Sequence, residues 1–282
     1  FEFGCNDGVL LDELKKRGIS CVGIDASDNM ANLARRKGHE VHTGFLTKEF
    51  VKELAISNSF DLVTCSNVFA HIDDLGSTID AVRELLVPGG LFSVEVHDGD
   101  LLISQRQFDT IYHEHLTYFT SETLSDLLAR YGFEEVTTVK TPMHGGGLRM
   151  VVRYTGRESA SFRPGGSVVR DFISSELTRC EEDLRSLYEE HGSLYGYGAA
   201  GRSQMFLNFT KATEYFSCVF DDSPFRQGRY IAGSDLPIQA YNGEEGDCLV
   251  ILAWNYAGDI SDRVSSKFKR IVTLLPSMTD WK

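Results

Sequence analysis

FEFGCNDG, residues 1–8, runs from an apolar strand into a turn bounded by Gly4 and Gly8, and VLLDELKKRG, residues 9–18, continues with helical spacing to a closing glycine. A strand, a glycine turn and a helix in that order begin a βα unit. The pattern recurs downstream. SCVGID (20–25) is a short β-rich run, and NMANLARRKG (29–38) is a second helix closed by glycine. FDLVTCSNVFAHI (60–72) begins as a buried strand, LGSTIDAVRELLVPGG (75–90) is a helix with a Pro-Gly-Gly stop, and LFSVEVH (91–97) is another strand. Strands separated by helices of this length predict an α/β fold with a parallel, doubly wound, Rossmann-like sheet.

The alternation breaks and then resumes. TPMHGGGLRMVVRYTGRE (141–158) reads as a glycine turn with a strand, and ESASFRPGGS (158–167) as a loop. VVRDFISSELTRCEEDLRSLYEEHG (168–192) is a long amphipathic helix. SLYGYGAAG (193–201) is again strand and turn, RSQMFLNFTKA (202–212) a helix, and YFSCVFDDS, DCLVILAW and RIVTLLP are further strands. The expected organisation is an α/β domain over 1–160, a helical connector over 161–191 and a second α/β domain over 192–282.

A hydrophobic content of 42% suffices for proper cores, and a net charge of −13 argues against nucleic acid or an anionic membrane as partner. No apolar run is long enough to span a bilayer. The six cysteines are scattered without a CxxC, which fits reduced thiols in a cytoplasmic protein and predicts no metal site. Phe1-Glu2-Phe3 reads as the end of a strand already under way, so an upstream segment is expected.

Three features carry chemistry. The first turn, Gly4-Cys5-Asn6-Asp7-Gly8, admits a ligand close to the backbone, and the helix start behind it offers N–H groups. Asp25 ends the next strand, where a carboxylate can accept both ribose hydroxyls of an adenosine. The second turn, Gly196-Tyr197-Gly198-Ala199-Ala200-Gly201, matches GxGxxG, with Asp221 and Asp222 about twenty residues on. By itself it points to a nicotinamide-dependent dehydrogenase. The third is FDTIYHEHLTYF (108–119), which gathers two histidines, a glutamate and two tyrosines just after the strand at 91–97. Open α/β sheets place ligands at that end of their strands. Asn255 follows a buried strand in the same manner.

GCNDG, NVFAHI, QFDTIYHEHLTYF, HGGGLRM, YGYGAAG and ILAWN occur in this order across almost the whole chain. Together they resemble the motifs of the nucleotide-sugar C-methyltransferases, which act on keto-deoxysugars. The resemblance implies S-adenosylmethionine as methyl donor, a central Rossmann-like domain for it and a C-terminal α/β domain. Most of that family also begin with a small zinc module, and this chain starts after the point where such a module ends.

The resemblance assigns residues as follows. Gly4, Cys5, Asn6, Asp7 and Gly8 run along the methionine portion of the cofactor, and Asp25 holds its ribose. Phe45 packs near the adenine, while Asn67 and His71 line the methionine side. A proton on a carbon beside a ketone is acidic, and neutral imidazole suits its removal at pH 7. His115 is the implied base, Glu114 or His113 orients the imidazole or the sugar, and Tyr112 donates to substrate oxygens. His144 and Arg149 face the sugar nucleotide, with Arg149 suited to its diphosphate. Asn255 is a substrate contact, and so is Arg202, although relatives more often carry Ala-Lys-Gly where this chain has Gly201-Arg202-Ser203. Plain core packing for Phe45, and capping of a helix or loop for Asn67 and His71, stand beside these roles. An NAD(P)-dependent oxidoreductase built on the second turn and a non-catalytic cofactor-binding or sugar-nucleotide-binding module are the rival classes.

Overall fold

The computed structural model describes residues 1–142, 145–159 and 169–282. Its contacts divide the chain into two units, Phe1–Asp100 with Glu114–Gly165, and Leu101–His113 with Gly166–Lys282. The long helix at 169–191 therefore clusters with the second unit, and so do Phe108–His113 of the FDTIYHEH string.

The first unit contains β1 (Glu2–Phe3), α1 (Val9–Lys16), β2 (Val22–Asp25), α2 (Asp28–Arg36), β3 (Glu40–Thr43), α3 (Lys48–Glu53) and β4 (Phe60–Ser66). It continues with α4 (Leu75–Leu85), β5 (Leu86–His97), the short α5 (Gly99–Ser104) that leads out of the unit, α6 (Ser121–Ala129), β6 (Phe133–Thr141) and β7 (Gly147–Tyr154). The sheet order is β3-β2-β1-β4-β5-β7-β6. The expected parallel sheet is in fact mixed, because β7 runs antiparallel to both β5 and β6. The reason is the connection: only the short glycine-rich link over 142–146 separates β6 from β7, too little chain for a crossover. Pro88-Gly89-Gly90 does more than stop α4. It lies inside β5, where the pairing with β4 shifts register between Phe60 and Leu62. Val63 of β4 and Phe92 and Val94 of β5 form the core with Ile79 and Val82 of α4 and Leu124 and Leu128 of α6, all at most 1% exposed. Burial of each such side chain contributes about 1.5–3 kcal/mol.

The second unit contains α7 (Val169–His191), β8 (Leu194–Tyr197), α8 (Gly201–Phe209), β9 (Phe216–Phe220), β10 (Ile238–Gln239), β11 (Gly246–Ile251), α9 (Ala257–Val264), β12 (Phe268–Thr273) and β13 (Thr279–Asp280). Its sheet order is β10-β9-β8-β11-β12-β13, parallel except for β13. Near its centre each sheet reverses its strand order, between β1 and β4 in the first unit and between β8 and β11 in the second. Such switch points are where open α/β sheets form a crevice.

Candidate active site

At the first switch point the chain makes a turn of unusual backbone. Gly4, Asn6 and Gly8 all have left-handed φ, +67°, +51° and +84°. A Cβ on Gly4 would stand 2.1 Å from Cγ2 of Val68, so β1 and the loop after β4 meet only because Gly4 has no side chain. Asn6 and Ser27 donate their backbone N–H groups to the two oxygens of Asp25, each at 2.8 Å, which ties the turn to the end of β2.

The N–H groups of the turn itself are engaged within the chain, whereas α1 starts at Val9 with no side-chain cap on its first N–H groups. Gly4 and Cys5 both donate to the Ile24 carbonyl, Asn6 to Asp25, Asp7 to the side chain of Asn6, and Gly8 to the Cys5 carbonyl. Among the five turn residues Gly4 lines the neighbouring cleft. The Cys5 side chain turns inward instead, into a small apolar cluster with Leu11, Ala31 and Ala34, and burial pushes its thiol up to about 12. Asp7 turns outward, where Lys37 donates to it at 3.0 Å. The turn thus acts as a shaped wall and not as an anion nest.

The cleft measures about 660 Å³ and is bounded by Gly4, Asp25, Phe45, Asn67, Val68 and His71, among others. Phe45 is 76% exposed, which excludes plain core packing and leaves its ring on the rim. Asn67 has φ +56° and its backbone N–H donates to the Glu95 carbonyl, so it turns the chain at the carboxyl end of β4. Thr47 and Asp74 also line the cleft while capping α3 and α4. Hydrogen bonds from Ser77 hold the Asp74 carboxyl below the usual carboxylate range. Glu49 and Asp73 add acidic groups to the lining. Sequence reasoning missed these four residues, although the cap pattern of a Thr or Asp at the start of a helix marks two of them.

His71 joins the cleft to the FDTIYHEH string. Its ring meets that of His115 edge to face with centroids 4.8 Å apart, and His115 in turn meets Tyr118 at 5.9 Å. Leu116 and Thr117 donate their backbone N–H groups to the Ala70 carbonyl, which pins the string beside His71. Glu114 is exposed and half-buried Tyr112 is edge-on to His113 at 6.3 Å. Contacts group Glu114 and His115 with the first unit, and Tyr112 and His113 with the second.

Arg149, expected to suit the diphosphate, and Arg202, expected to contact substrate, have partners of their own. Arg149 on β7 lies opposite Glu95 on β5 and forks onto that buried carboxylate, with Nε at 2.9 Å. Arg202 forks onto Asp109, Nε donating to Oδ2 at 2.8 Å and Nη2 to Oδ1 at 2.9 Å. A bidentate pair of this kind is geometrically specific and occupies much of the donor fork. Asn255 is exposed in the turn after β11, and His144 lies outside the described residues.

The second glycine turn has the same frame with a different filling. Asp221 accepts from the backbone N–H of Ala199 at 2.7 Å and of Ser223 at 2.8 Å, and Arg226 donates to both of its oxygens. It is 4% exposed. Asp222 accepts from Tyr197 and Arg263. Both oxygens of Asp221 are thus engaged by the turn and by Arg226, where a nicotinamide site needs a carboxylate left for the ribose hydroxyls.

Among the described residues no helix is long and apolar enough to cross a membrane, no group of three or more His, Cys, Asp or Glu could hold a metal ion, and all six cysteines are free.

Comparison with known proteins follows the same division. Residues 1–138 match the family described as Methyltransferase domain, and residues 175–276 match the C-methyltransferase C-terminal domain. The chain is 30% identical over 283 residues to the C-methyltransferase NovU of Streptomyces niveus, covering 93% of this chain and 67% of that protein. It is 37% identical over 95 residues to a ubiquinone biosynthesis O-methyltransferase of Colwellia psychrerythraea, covering 32% of this chain and 38% of that protein. Among solved structures, the 1,6-didemethyltoxoflavin-N1-methyltransferase of Burkholderia thailandensis, bound to S-adenosylhomocysteine, aligns with a TM-score of 0.43 at 24% identity, over 55% of this chain and 69% of that one. The likeness to NovU spans both units, and the C-terminal match is to the domain of the same name, so the chain belongs to the C-methyltransferase family and is an S-adenosylmethionine-dependent enzyme.

Proposed function

We propose that the chain methylates a carbon beside the ketone of a keto-deoxysugar nucleotide, and that His115 takes the proton from that carbon. The observation that carries the reading is the contact between His115 and His71, because His71 also lines the 660 Å³ cleft. An imidazole from the string thus stands against the wall of the cavity that suits the methyl donor.

The lining fits S-adenosylmethionine. Gly4 lets the backbone close on the crevice, half-buried Asp25 offers carboxylate oxygens at the ribose position, and the exposed ring of Phe45 offers a face to adenine. Glu49, Asp73 and Asp74 give the cleft an acidic lining that suits a ligand with positive charge. When bound, S-adenosylmethionine supplies an electrophilic methyl group. The protein's own task is to generate the carbanion. His115 removes the proton and stores it as imidazolium, and the electron pair left on carbon delocalises onto the ketone oxygen as an enolate. Tyr112 donates a hydrogen bond to a substrate oxygen. Glu114 orients the base or the sugar, and Asn255 contacts the substrate.

The test is incubation with S-adenosylmethionine and a panel of thymidine-diphosphate keto-deoxysugars. A product in which one methyl replaces one hydrogen supports the reading. His115→Ala should then lose roughly a hundred- to ten-thousand-fold in rate. Exchange of the substrate's carbon-bound hydrogen with deuterated water should slow in parallel, since exchange needs the base and not the donor. A folded His115→Ala variant with both rates near wild type would remove His115 from the base role.

A further inference from the structure

The crevice at the second switch point is occupied by the chain itself. Phe108, Asp109 and Thr110 form a single 3₁₀ turn at most 2% exposed. Phe108 stacks on Phe206 of α8 with centroids 5.8 Å apart, within the second unit's core. Asp109 reaches the carboxyl ends of β8 and β11. There it accepts the fork of Arg202 from the first turn of α8 and, on Oδ2, the indole N–H of Trp254 at 3.0 Å from the turn after β11. The Arg202 guanidinium lies 4.8 Å from the Trp254 ring centroid, so the three side chains form one stacked, hydrogen-bonded cluster.

This is the place where a dinucleotide fold holds a phosphate, at a glycine turn and a helix start. Here the anion is built in. Breaking such a buried pair leaves an uncompensated charge, so the cluster holds its segment firmly. Thr110 and Ile111 donate back to Gln107 and Phe108, and Tyr112 follows directly.

We infer that Arg202 and Trp254 are positioning residues that act through Asp109: they clamp the 108–110 turn and thereby fix the placement of Tyr112, the hydrogen-bond donor of the reaction. Arg202 therefore serves the substrate indirectly, by holding this turn. The inference rests on the proposed function for Tyr112's role, and not for the clamp itself.

The test uses the full chain with Asp109→Asn, Arg202→Ala and the milder Arg202→Lys. The inference expects amide hydrogen exchange over residues 110–113 to rise in Asp109→Asn and Arg202→Ala, with exchange over Gly4–Gly8 unchanged. It also expects kcat on the thymidine-diphosphate keto-deoxysugar to fall by roughly 100-fold, the loss an ångström-scale misplacement can cause. KM for S-adenosylmethionine should stay within about twofold, as for an effect on the catalytic step and not on cofactor binding. Arg202→Lys should recover part of kcat, because it restores the charge but not the fork. Unchanged exchange at 110–113, or unchanged kcat beside raised exchange, would overturn the inference. If Arg202→Ala or Asp109→Asn fails to fold, Arg202→Lys decides by the same two readouts. Should the wild-type chain turn over none of these sugars, the proposed function falls, and the exchange measurement still decides whether the clamp exists.

Discussion

Asp25 ends β2 and Asp221 ends β9, and each carboxylate accepts a backbone N–H from its own glycine turn and another from two residues further on. The distances agree within 0.1 Å, 2.8 and 2.8 Å against 2.7 and 2.8 Å. What differs is everything around them. Asp25 is half-buried on the wall of an open cleft, whereas Asp221 is buried and neutralised by Arg226. The crevice beside the second turn is filled by Asp109. An acidic residue after the second strand is thus first a tie for the turn, and it serves a ligand only where oxygen lone pairs and space remain. The literal GxGxxG belongs to the turn that lacks both, which shows why a motif match needs its structural context.

The largest expected effect is at the first turn. Gly4→Ala puts a Cβ against Val68 and forces a non-glycine residue to φ +67°. Left-handed strain alone costs about 1–3 kcal/mol. With the overlap added, S-adenosylhomocysteine affinity should fall on the order of 100-fold or more, at about 1.4 kcal/mol per tenfold. Titration calorimetry on the folded variant checks this, and near-wild-type affinity would mean that the turn does not shape the cofactor site.

Gly198→Val is the matching change in the second unit, where φ is +94° and a Cβ would lie 2.5 Å from that of Ala253. Strain and overpacking together predict a stability loss of about 2–5 kcal/mol. Denaturant unfolding measures it. The comparison further requires that S-adenosylhomocysteine affinity of the folded variant stays within about twofold, and turnover should need no added NAD. Weakened S-adenosylhomocysteine binding, or a requirement for NAD, would erase the distinction between the two turns.

The smallest effect is at Asp7. Its carboxylate meets Lys37 on the outer side of the turn, so Asp7→Ala should change S-adenosylhomocysteine affinity by less than about twofold, as expected for an exposed pair. A tenfold loss would return Asp7 to the cofactor's side of the turn.

These contrasts also mark how far the sequence could be read. Much of the βα alternation from β1 to β5 was legible because parallel strands are apolar runs and α1 and α2 end in glycine, whereas the short α3 was not read. β6 was not, since most of its residues are exposed and no apolar periodicity marks it. Asp25, Phe45, Asn67 and His71 were legible as a set because each follows a strand at its carboxyl end, and the cleft gathers all four. The inward direction of Cys5 and the outward direction of Asp7 were not legible, because a motif locates a turn and not the direction of each side chain within it. The partner of Arg202 was out of reach, since Asp109 lies 93 residues away in the chain.

The most direct test of the account is a titration of S-adenosylhomocysteine and NADH into the wild-type chain, Asp25→Asn and Asp221→Asn. Hydrogen bonds to a charged group contribute about 1.5–3 kcal/mol, so Asp25→Asn should weaken S-adenosylhomocysteine roughly 10- to 100-fold. Asp221→Asn should leave that affinity unchanged while lowering thermal stability, and NADH should give no binding heat with any of the three. Binding of NADH to the wild-type chain, or loss of S-adenosylhomocysteine binding from Asp221→Asn but not from Asp25→Asn, would contradict the assignment of the cofactor to the first turn.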